Sequence, residues 1–320
     1  YFNLGSTLCN LFELASDEDI LTPPEGVLVY GIPPENMDGR LTAVVNDKKT
    51  EIIQGFISNE DDTDYFGYLK KTALTLHNII MIHRGLMPLH GAMCTVEMTG
   101  NKKANIIIVG DSGTGKSETL EAFRHLSKDF LRDLNFVFDD MGSIKVGEDG
   151  EMVAYGTETG AFVRLDDLRP GYAFGNIDKA IFLNPSGTNA RVVIPITDLA
   201  TVLEGTQVDF FLYANNFEEV DDNRPFLEEY KTKKEAMAVF RKGQRKAKGT
   251  TDEKGLVSTY FANPFGAPQY ENLHEKVAEK IFQGLFDSGI FVGQLRTRLG
   301  IEGFETEGPE AAAKALIKII

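Results

Sequence analysis

Cysteine and tryptophan are scarce in this sequence. Its 320 residues include two cysteines, Cys9 and Cys94, and no tryptophan. Two cysteines exclude a disulfide framework, and no C-x-x-C pair with metal-ligand spacing is present. A reducing, cytoplasmic compartment fits this cysteine usage best. No basic region followed by an apolar run of the secretory type lies near Tyr1, and we expect the sequence to be the ordered part of a longer chain.

Long apolar runs and net positive charge are also missing. The longest runs of Ile, Val, Leu and Met, residues 79–82 and 106–109, have four residues, against the roughly 20 that a membrane-spanning helix needs. The 33 Lys and Arg stand against 48 Asp and Glu, for a net charge of -15. This balance argues against nucleic acid or an anionic membrane as a partner, so any anionic ligand must be held by local cations.

Hydrophobic residues make up 42% of the chain, and their pattern predicts an α/β fold. Residues 1–64 are rich in turns and short apolar runs, which predicts a β-rich N-terminal segment. Apolar spacing after residue 64 predicts strands alternating with helices in a mixed sheet. The predicted helices are residues 65–82, 118–126, 273–286 and 309–320, and the predicted strands are residues 92–96, 104–109, 136–138, 180–183, 289–292 and an antiparallel pair or trio within 144–163.

One segment is strongly basic. Residues 231–248 contain eight Lys or Arg and a single acid, Glu235. A run of charge on a helix is usually a solvated face, so the segment predicts a helix with one solvated face, followed by a mobile loop.

A glycine-rich stretch at residues 110–117 fits the pattern G-x-x-x-x-G-K-[ST]. Glycines allow a backbone that points successive N–H groups at an anion, at the start of a helix. A predicted buried strand precedes the stretch and a predicted helix follows it, which is the context that a phosphate-binding loop requires. The predicted nucleotide-binding residues are Gly110, Asp111, Ser112, Gly113, Thr114, Gly115, Lys116 and Ser117.

Two carboxylates follow the predicted strand 136–138. Asp139 and Asp140 supply the acidic group that a phosphate-loop site uses to hold a metal ion or its water. Adjacent side chains of an extended strand point to opposite sides, so the two carboxylates are predicted to have different tasks. Without the loop, an aspartate before Met141-Gly142 would indicate a turn.

The loop sequence G-D-S-G-T-G-K-S-E resembles those of two related families, the ATP-dependent phosphoenolpyruvate carboxykinases and the HPr kinase/phosphorylases. Residues 65–71 match the carboxykinase pattern Y-x-G-x-x-K-K, and His90 lies nineteen residues after Lys71, the spacing of that family's metal-binding lysine and histidine. Residues 258–268 resemble its F-S-x-x-F-G-A-P segment. The resemblance implies a P-loop-containing carboxykinase-like domain at residues 65–320.

Applied to this sequence, the resemblance implies a phosphoryl-transfer centre with two divalent metal ions. Ser117 would bind Mg²⁺ together with the nucleotide phosphates, and Asp139 would lie near that ion. Lys71, His90 and Asp140 would bind a second ion, Mn²⁺. A lysine ligand must be neutral, and the adjacent Lys70 would help to lower its pKa.

The resemblance implies that three further basic residues bind substrate or phosphate. Arg164 ends a segment, residues 158–164, that resembles a family segment ending in lysine. Arg191 lies in an N-x-R-x-x-[YI]-P pattern, although it follows a predicted strand that the family's arginine precedes. Lys248 lies in residues 247–255, which resemble the family's A-K-x-x-G-T-E-x-G loop.

The resemblance implies a phosphotransferase that moves the γ-phosphoryl of ATP or another NTP to a small carboxylate-bearing acceptor such as oxaloacetate. Two alternatives stay open. One is a protein serine kinase or phosphorylase of the HPr-kinase type, indicated by His90-Gly91 before the loop and Ser117-Glu118 within it. The other is a nucleotide-binding module without turnover, since fold analogy is a weak guide to activity.

Overall fold

A computed structural model describes residues 2–126, 131–165, 179–183, 190–247 and 254–320. Within these ranges the helices are α1 Phe2–Cys9, α2 Phe66–His83, α3 Lys116–Leu126, α4 Leu199–Glu204, α5 Lys233–Lys242, α6 Glu271–Asp287 and α7 Glu307–Ile317. The strands are β1 Gly26–Ile32, β2 Thr42–Asp47, β3 Ile52–Ser58, β4 Met87–Met98, β5 Lys103–Val109, β6 Leu131–Val146, β7 Met152–Gly156, β8 Gly160–Arg164, β9 Ile181–Leu183, β10 Arg191–Pro195, β11 Thr206–Gln207, β12 Phe210–Asn215, β13 Leu227–Glu229, β14 Gln244–Lys246, β15 Leu256–Ser258 and β16 Phe291–Arg296.

The centre of the molecule is an eight-stranded mixed sheet. Its strand order is β11-β7-β6-β4-β5-β12-β16-β13. Strands β5, β12 and β16 are parallel to one another, while the remaining pairs are antiparallel. The predicted α/β class with a mixed sheet and flanking helices is therefore confirmed.

Strand β5 shows how the sheet is buried on both faces. Its alternate residues point to opposite sides, as strand geometry requires. Ile107 packs in a cluster with side chains of α5 and α6, whereas Ile106 and Ile108 pack with side chains of α3 and α7. All three isoleucines are fully buried, which stabilises the fold by about 1.5–3 kcal/mol for each side chain. The helices thus cover the two faces and leave the ends of β5, β12 and β16 to carry the loops.

Three smaller sheets surround the central one. Strands β1, β3 and β2 form a sheet that packs on α2 through Ile53, Leu76 and Ile79. Strands β8, β10 and β9 form a second sheet, and β14 pairs with β15. The part of the chain that the structure describes has no helix long and apolar enough to cross a lipid bilayer.

One predicted strand is longer than expected, and residues 144–163 form the predicted antiparallel pair rather than a trio. The short strand 136–138 is part of β6, which continues past Asp140 because Met141 and Ile144 stay buried between β4 and β7. Strand β8 does not continue the β6–β7 pair. The outer edge of β7 is occupied by β11, and β8 pairs with β10 in the separate sheet.

Candidate functional site

The glycine-rich loop, residues 110–117, connects the end of β5 to the start of α3. Gly113 and Gly115 adopt left-handed backbone angles, with φ of 73° and 92°. A Cβ atom at Gly115 would lie 2.7 Å from Cβ of Thr297, so this position excludes any side chain. The loop therefore has the strand–loop–helix context that its motif requires.

Neutral hydrogen bonds from neighbouring strands hold the loop. The Asn216 side-chain amide donates to the carbonyl of Gly113 at 2.9 Å, and the Thr297 hydroxyl donates to the carbonyl of Thr114 at 2.6 Å. Both side chains follow the C-terminal ends of parallel strands, β12 and β16, and both are fully buried. The loop's backbone is thus held in place by bonds on its outer side.

Lys116 is the first residue of α3 and is 7% exposed. Its ammonium donates to the carbonyls of Gly110 at 2.8 Å and Asp111 at 3.2 Å. Burial lowers the pKa of Lys116 below its usual value, although the carboxylates of Asp140 and Asp139 oppose that shift. The lysine lies folded against the loop, close to both acidic residues of β6.

Ser117 and Asp139 face each other across the start of α3. The serine hydroxyl donates to Oδ1 of Asp139 at 3.1 Å. A hydroxyl and a carboxylate are hard oxygen donors of the kind that Mg²⁺ binds. This pair therefore fits the Mg²⁺ ion that the sequence motif implies.

Asp139 and Asp140 lie within β6 rather than at its end, which corrects the predicted position. Asp140 has φ of 122°, an unusual angle for a residue with a side chain, and it is paired with Gly91 of β4. The predicted division of tasks agrees with their contacts, because Asp139 contacts Ser117 whereas Asp140 contacts His90 and Lys70.

Lys70, His90, Asp140 and Glu158 form a buried charge cluster. The Lys70 ammonium contacts Asp140 directly and lies 3.2 Å from Oε1 of Glu158. Nε2 of His90 lies 2.9 Å from Oδ1 of Asp140, and its Nδ1 lies 3.1 Å from the carbonyl of Ala262. Three side chains are 1–5% exposed, while Asp140 is 25% exposed. The cluster thus has one open side, at Asp140.

Burial and charge pairing shift the pKa values in this cluster. Burial alone would lower the pKa of Lys70, but Asp140 and Glu158 raise it above its usual value. Burial alone would raise the pKa of Asp140, but Lys70 and His90 hold it well below its usual range. Burial raises the pKa of Glu158 to about 8, against the opposing charge of Lys70. Lys70 and Asp140 therefore form an ion pair, while burial favours the protonated form of Glu158.

Lys71 does not join this cluster, which departs from the implied metal site. Its side chain is exposed, because successive residues of a helix point about 100° apart. Phe66, Lys70 and Leu74 share the buried side of α2 at a spacing of four residues, and all three are at most 4% exposed. The structure therefore brings Lys70, and not Lys71, together with His90 and Asp140.

The implied set of ligands for a second metal ion is consequently not assembled. Lys71 lies outside the charge cluster. The raised pKa of Lys70 keeps its amine protonated, so it has no lone pair for a metal ion. Among the described residues no group of three or more His, Cys, Asp or Glu side chains is arranged to hold a metal ion. The cluster does not fit a second divalent ion in the arrangement that the structure shows.

The two candidate arginines are partners on neighbouring strands. Arg191 of β10 pairs with Arg164 of β8 in the antiparallel register. The Arg191 side chain donates to the Tyr65 hydroxyl at 3.0 Å and lies 5.8 Å from the ring centre of Phe162, which is 5.4 Å from the Lys70 ammonium. Arg191 is thus connected to the charge cluster through one aromatic ring. Lys248, the third candidate, lies outside the described residues.

Several residues of the site were not singled out by the sequence analysis. Glu158 entered only as part of a segment that resembles a family segment. Arg245, whose Nε lies 2.9 Å from Oδ2 of Asp111, entered only as part of the basic segment. Asn216 and Thr297 lie in no motif. A glutamate or asparagine near the end of a strand is a weak signal of a site residue. It can be recognised as one only when the order of the strands in the sheet is known.

Comparison with known proteins assigns no family to this chain, because no protein-family model and no curated protein matches it significantly. The likeness to the carboxykinases therefore rests on the motifs.

Proposed function

We propose that this protein is a nucleotide-dependent phosphotransferase of the carboxykinase-like type. The observation that carries the proposal is the position of the glycine-rich loop beside the charge cluster. Lys116 and Ser117 of the loop lie next to Asp139, whose neighbour in the chain, Asp140, belongs to the cluster. One site thus contains groups for nucleotide phosphates and charged groups for an acceptor.

The nucleotide side follows from the groups around the loop. The backbone N–H groups at the start of α3 would bind the phosphate oxygens. Lys116 would exchange its two carbonyl contacts for the β- and γ-phosphates. Ser117 and Asp139 would hold Mg²⁺, which when bound neutralises charge on the transferred phosphoryl group.

The acceptor side is suited to a small anion. The chain carries a net charge of -15, so an anionic acceptor needs cations inside the site. Lys70 and Arg191, which lie 5.4 Å and 5.8 Å from the ring centre of Phe162, would supply them, and Arg191 can bind a carboxylate with two parallel hydrogen bonds. An oxaloacetate-like acid would lose carbon dioxide, and its enolate oxygen would attack the γ-phosphorus of the NTP, which releases NDP and gives a phosphoenolpyruvate-like product.

A second candidate function is nucleotide binding without turnover. The observation that favours it is the separation of Lys71 from His90 and Asp140, since the implied second metal site is not assembled. A protein acceptor of the HPr-kinase type remains an alternative for the same loop.

Lys116→Ala tests the proposal, with Lys103→Ala as the control. Lys116 would neutralise charge on the moving phosphoryl group, so its loss is expected to lower kcat roughly 100-fold to 1,000-fold. Lys103 begins β5, and its side chain is 59% exposed, so its variant should keep the activity of the wild type. Transfer from Mg²⁺-ATP would be measured with oxaloacetate and with protein acceptors.

The outcomes separate the candidates. A near-normal rate in Lys116→Ala would contradict phosphoryl transfer at this loop. Transfer to protein and not to oxaloacetate would favour the kinase alternative. ATP binding by the wild type with no transfer to any acceptor would favour the binding module.

A further inference from the structure

Asp111 places a negative charge inside the glycine-rich loop. Its side chain is buried, and its Oδ1 accepts a hydrogen bond from the Ser112 N–H at 2.6 Å. The carboxylate also acts electrostatically on the Lys116 ammonium. An unpaired carboxylate at this position would repel the phosphates that the loop is proposed to bind. Nucleotide binding at this loop therefore requires groups that compensate the charge of Asp111.

Arg245 and Thr259 compensate it from the β14–β15 pair. Nε of Arg245 lies 2.9 Å from Oδ2 of Asp111, and the Thr259 hydroxyl donates to the same oxygen at 3.0 Å. The Arg245 side chain is 12% exposed and Asp111 is 5% exposed. Their ion pair is thus largely shielded from solvent, so it is screened less than a surface pair.

The backbone on both sides of Arg245 is anchored to the end of β12. The Tyr213 hydroxyl donates to the carbonyl of Gln244 at 2.7 Å. Asn216 binds both backbone groups of Lys246, accepting from its N–H at 2.8 Å and donating to its carbonyl at 2.9 Å. Because Asn216 also binds the Gly113 carbonyl, one side chain fixes the position of β14 relative to the loop.

Gly243 directs the chain from α5 into this position. It has a left-handed φ of 53°, and a Cβ atom there would lie 1.8 Å from the carbonyl of Thr259. The turn thus places Arg245 under the loop and Thr259 beside it. No sequence motif predicts the turn at Gly243.

Arg245 differs from the other paired bases of its segment. Lys231, Lys233 and Arg241 pair with glutamates at the surface, and their side chains are 34–76% exposed. Such exposed pairs contribute little. Arg245 is buried against a loop residue, which sets it apart from a solvated face.

We propose that Arg245 is a positioning residue for nucleotide phosphates, which acts by neutralising and orienting Asp111 within the glycine-rich loop. This inference rests on the nucleotide binding in the proposed function. In this role the Arg245 guanidinium contacts Asp111 of the loop and not the phosphates themselves. Loss of Arg245 would leave a buried carboxylate that repels the nucleotide in proportion to the phosphate charge.

The test compares Arg245→Gln with the double variant Asp111→Asn/Arg245→Gln. Affinities for AMP, ADP and ATP in the presence of Mg²⁺ would be measured by calorimetry. In Arg245→Gln we expect ATP to bind about tenfold more weakly, ADP to be affected less and AMP to be unaffected. The double variant should recover most of the ATP affinity, because the repelling charge is gone. Arg241→Gln, which breaks a surface pair, is the matched control and should bind like the wild type.

The outcomes are distinguishable. An ATP affinity that stays low in the double variant would assign Arg245 to direct phosphate contact and overturn the positioning role. Equal loss for all three nucleotides would indicate a general folding defect and would overturn it too. If Arg245→Gln does not fold, Asp111→Asn alone decides, since it should bind ATP at least as tightly as the wild type. A wild type that binds no nucleotide would refute the proposed function itself.

Discussion

The glycine-rich loop and the buried charge cluster lie side by side but are built differently. The backbone carbonyls of the loop accept hydrogen bonds from the neutral side chains of Asn216 and Thr297, and Asp111 of the loop pairs with Arg245. The cluster is held by charges, with Lys70 between Asp140 and Glu158. Each neutral hydrogen bond contributes about 1 kcal/mol, whereas removing one partner of a buried ion pair costs about 3–5 kcal/mol.

The loop should therefore tolerate the loss of one side chain better than the charge cluster does. Losing one bond to the loop leaves its other bonds and its backbone conformation in place. Losing Lys70 leaves two carboxyl groups facing each other in a site that is almost closed. We expect the cluster to dominate stability and the loop to dominate nucleotide affinity.

The largest effect is expected from Lys70→Met, with Lys71→Met as its matched control. Methionine keeps the apolar stem of the side chain and removes the ammonium. Lys70→Met should lower the free energy of unfolding by about 3 kcal/mol, because Asp140 loses its buried partner. Lys71 is exposed, and its variant should stay within about 0.5 kcal/mol of the wild type.

Urea denaturation at neutral pH measures both variants. Equal effects at the two positions would contradict the orientation of α2. A larger effect at Lys71 would mean that Lys71, and not Lys70, is the buried lysine of α2.

The next effect, smaller for each pH unit, is a pH dependence that originates in Glu158. Its pKa is raised to about 8 by burial, from 4.5 in the unfolded chain. Between these values the folded protein keeps a proton that the unfolded chain releases, so stability is lost as pH rises through this window. The slope is at most about 1.4 kcal/mol per pH unit. Glu158→Gln removes this contribution.

Denaturation midpoints between pH 5 and 9 test the sign. The unfolding free energy of the wild type should fall relative to Glu158→Gln as pH rises to about 8, and the difference should then level off. Glu204→Gln changes an exposed glutamate at the end of α4 and should follow the wild-type profile. Parallel profiles for the wild type and Glu158→Gln would show that Glu158 is ionised in the folded protein.

The two regions also differ in what sequence reasoning could find. The loop motif is contiguous, and buried β5 and helix α3 flank it as predicted. The four cluster residues come from distant parts of the chain, and Glu158 lies between β7 and β8, which belong to different sheets. Only the pairing of β4 with β6 brings His90 next to Asp140. Long-range pairing of this kind leaves no local periodicity to read.

The choice between Lys70 and Lys71 shows the same limit at the scale of one residue. A spacing of nineteen residues from His90 selects Lys71, but the rotation of α2 selects Lys70. The sequence did carry a signal, since Lys70 lies four residues from both Phe66 and Leu74. Strand β12, which Asn216 follows, was not among the predicted strands, although its residues 210–214 form an apolar run.

The smallest effect is expected from Thr297→Val, which removes one hydrogen bond from the loop. Valine matches the shape of threonine, so the change deletes the 2.6 Å bond to the Thr114 carbonyl together with two longer ones, to the Asn215 carbonyl at 3.4 Å and from the Leu299 N–H at 3.5 Å. Stability should fall by about 1 kcal/mol, and ATP affinity by about fivefold. Thr119→Val is the matched control, because Thr119 is also fully buried while its hydroxyl has no hydrogen-bond partner among the described residues. Denaturation and ATP titration of both variants measure this bond directly, since replacing an unpartnered hydroxyl should be neutral or stabilising. If Thr297→Val lowered the free energy of unfolding by several kcal/mol, the loop would be as sensitive to substitution as the charge cluster.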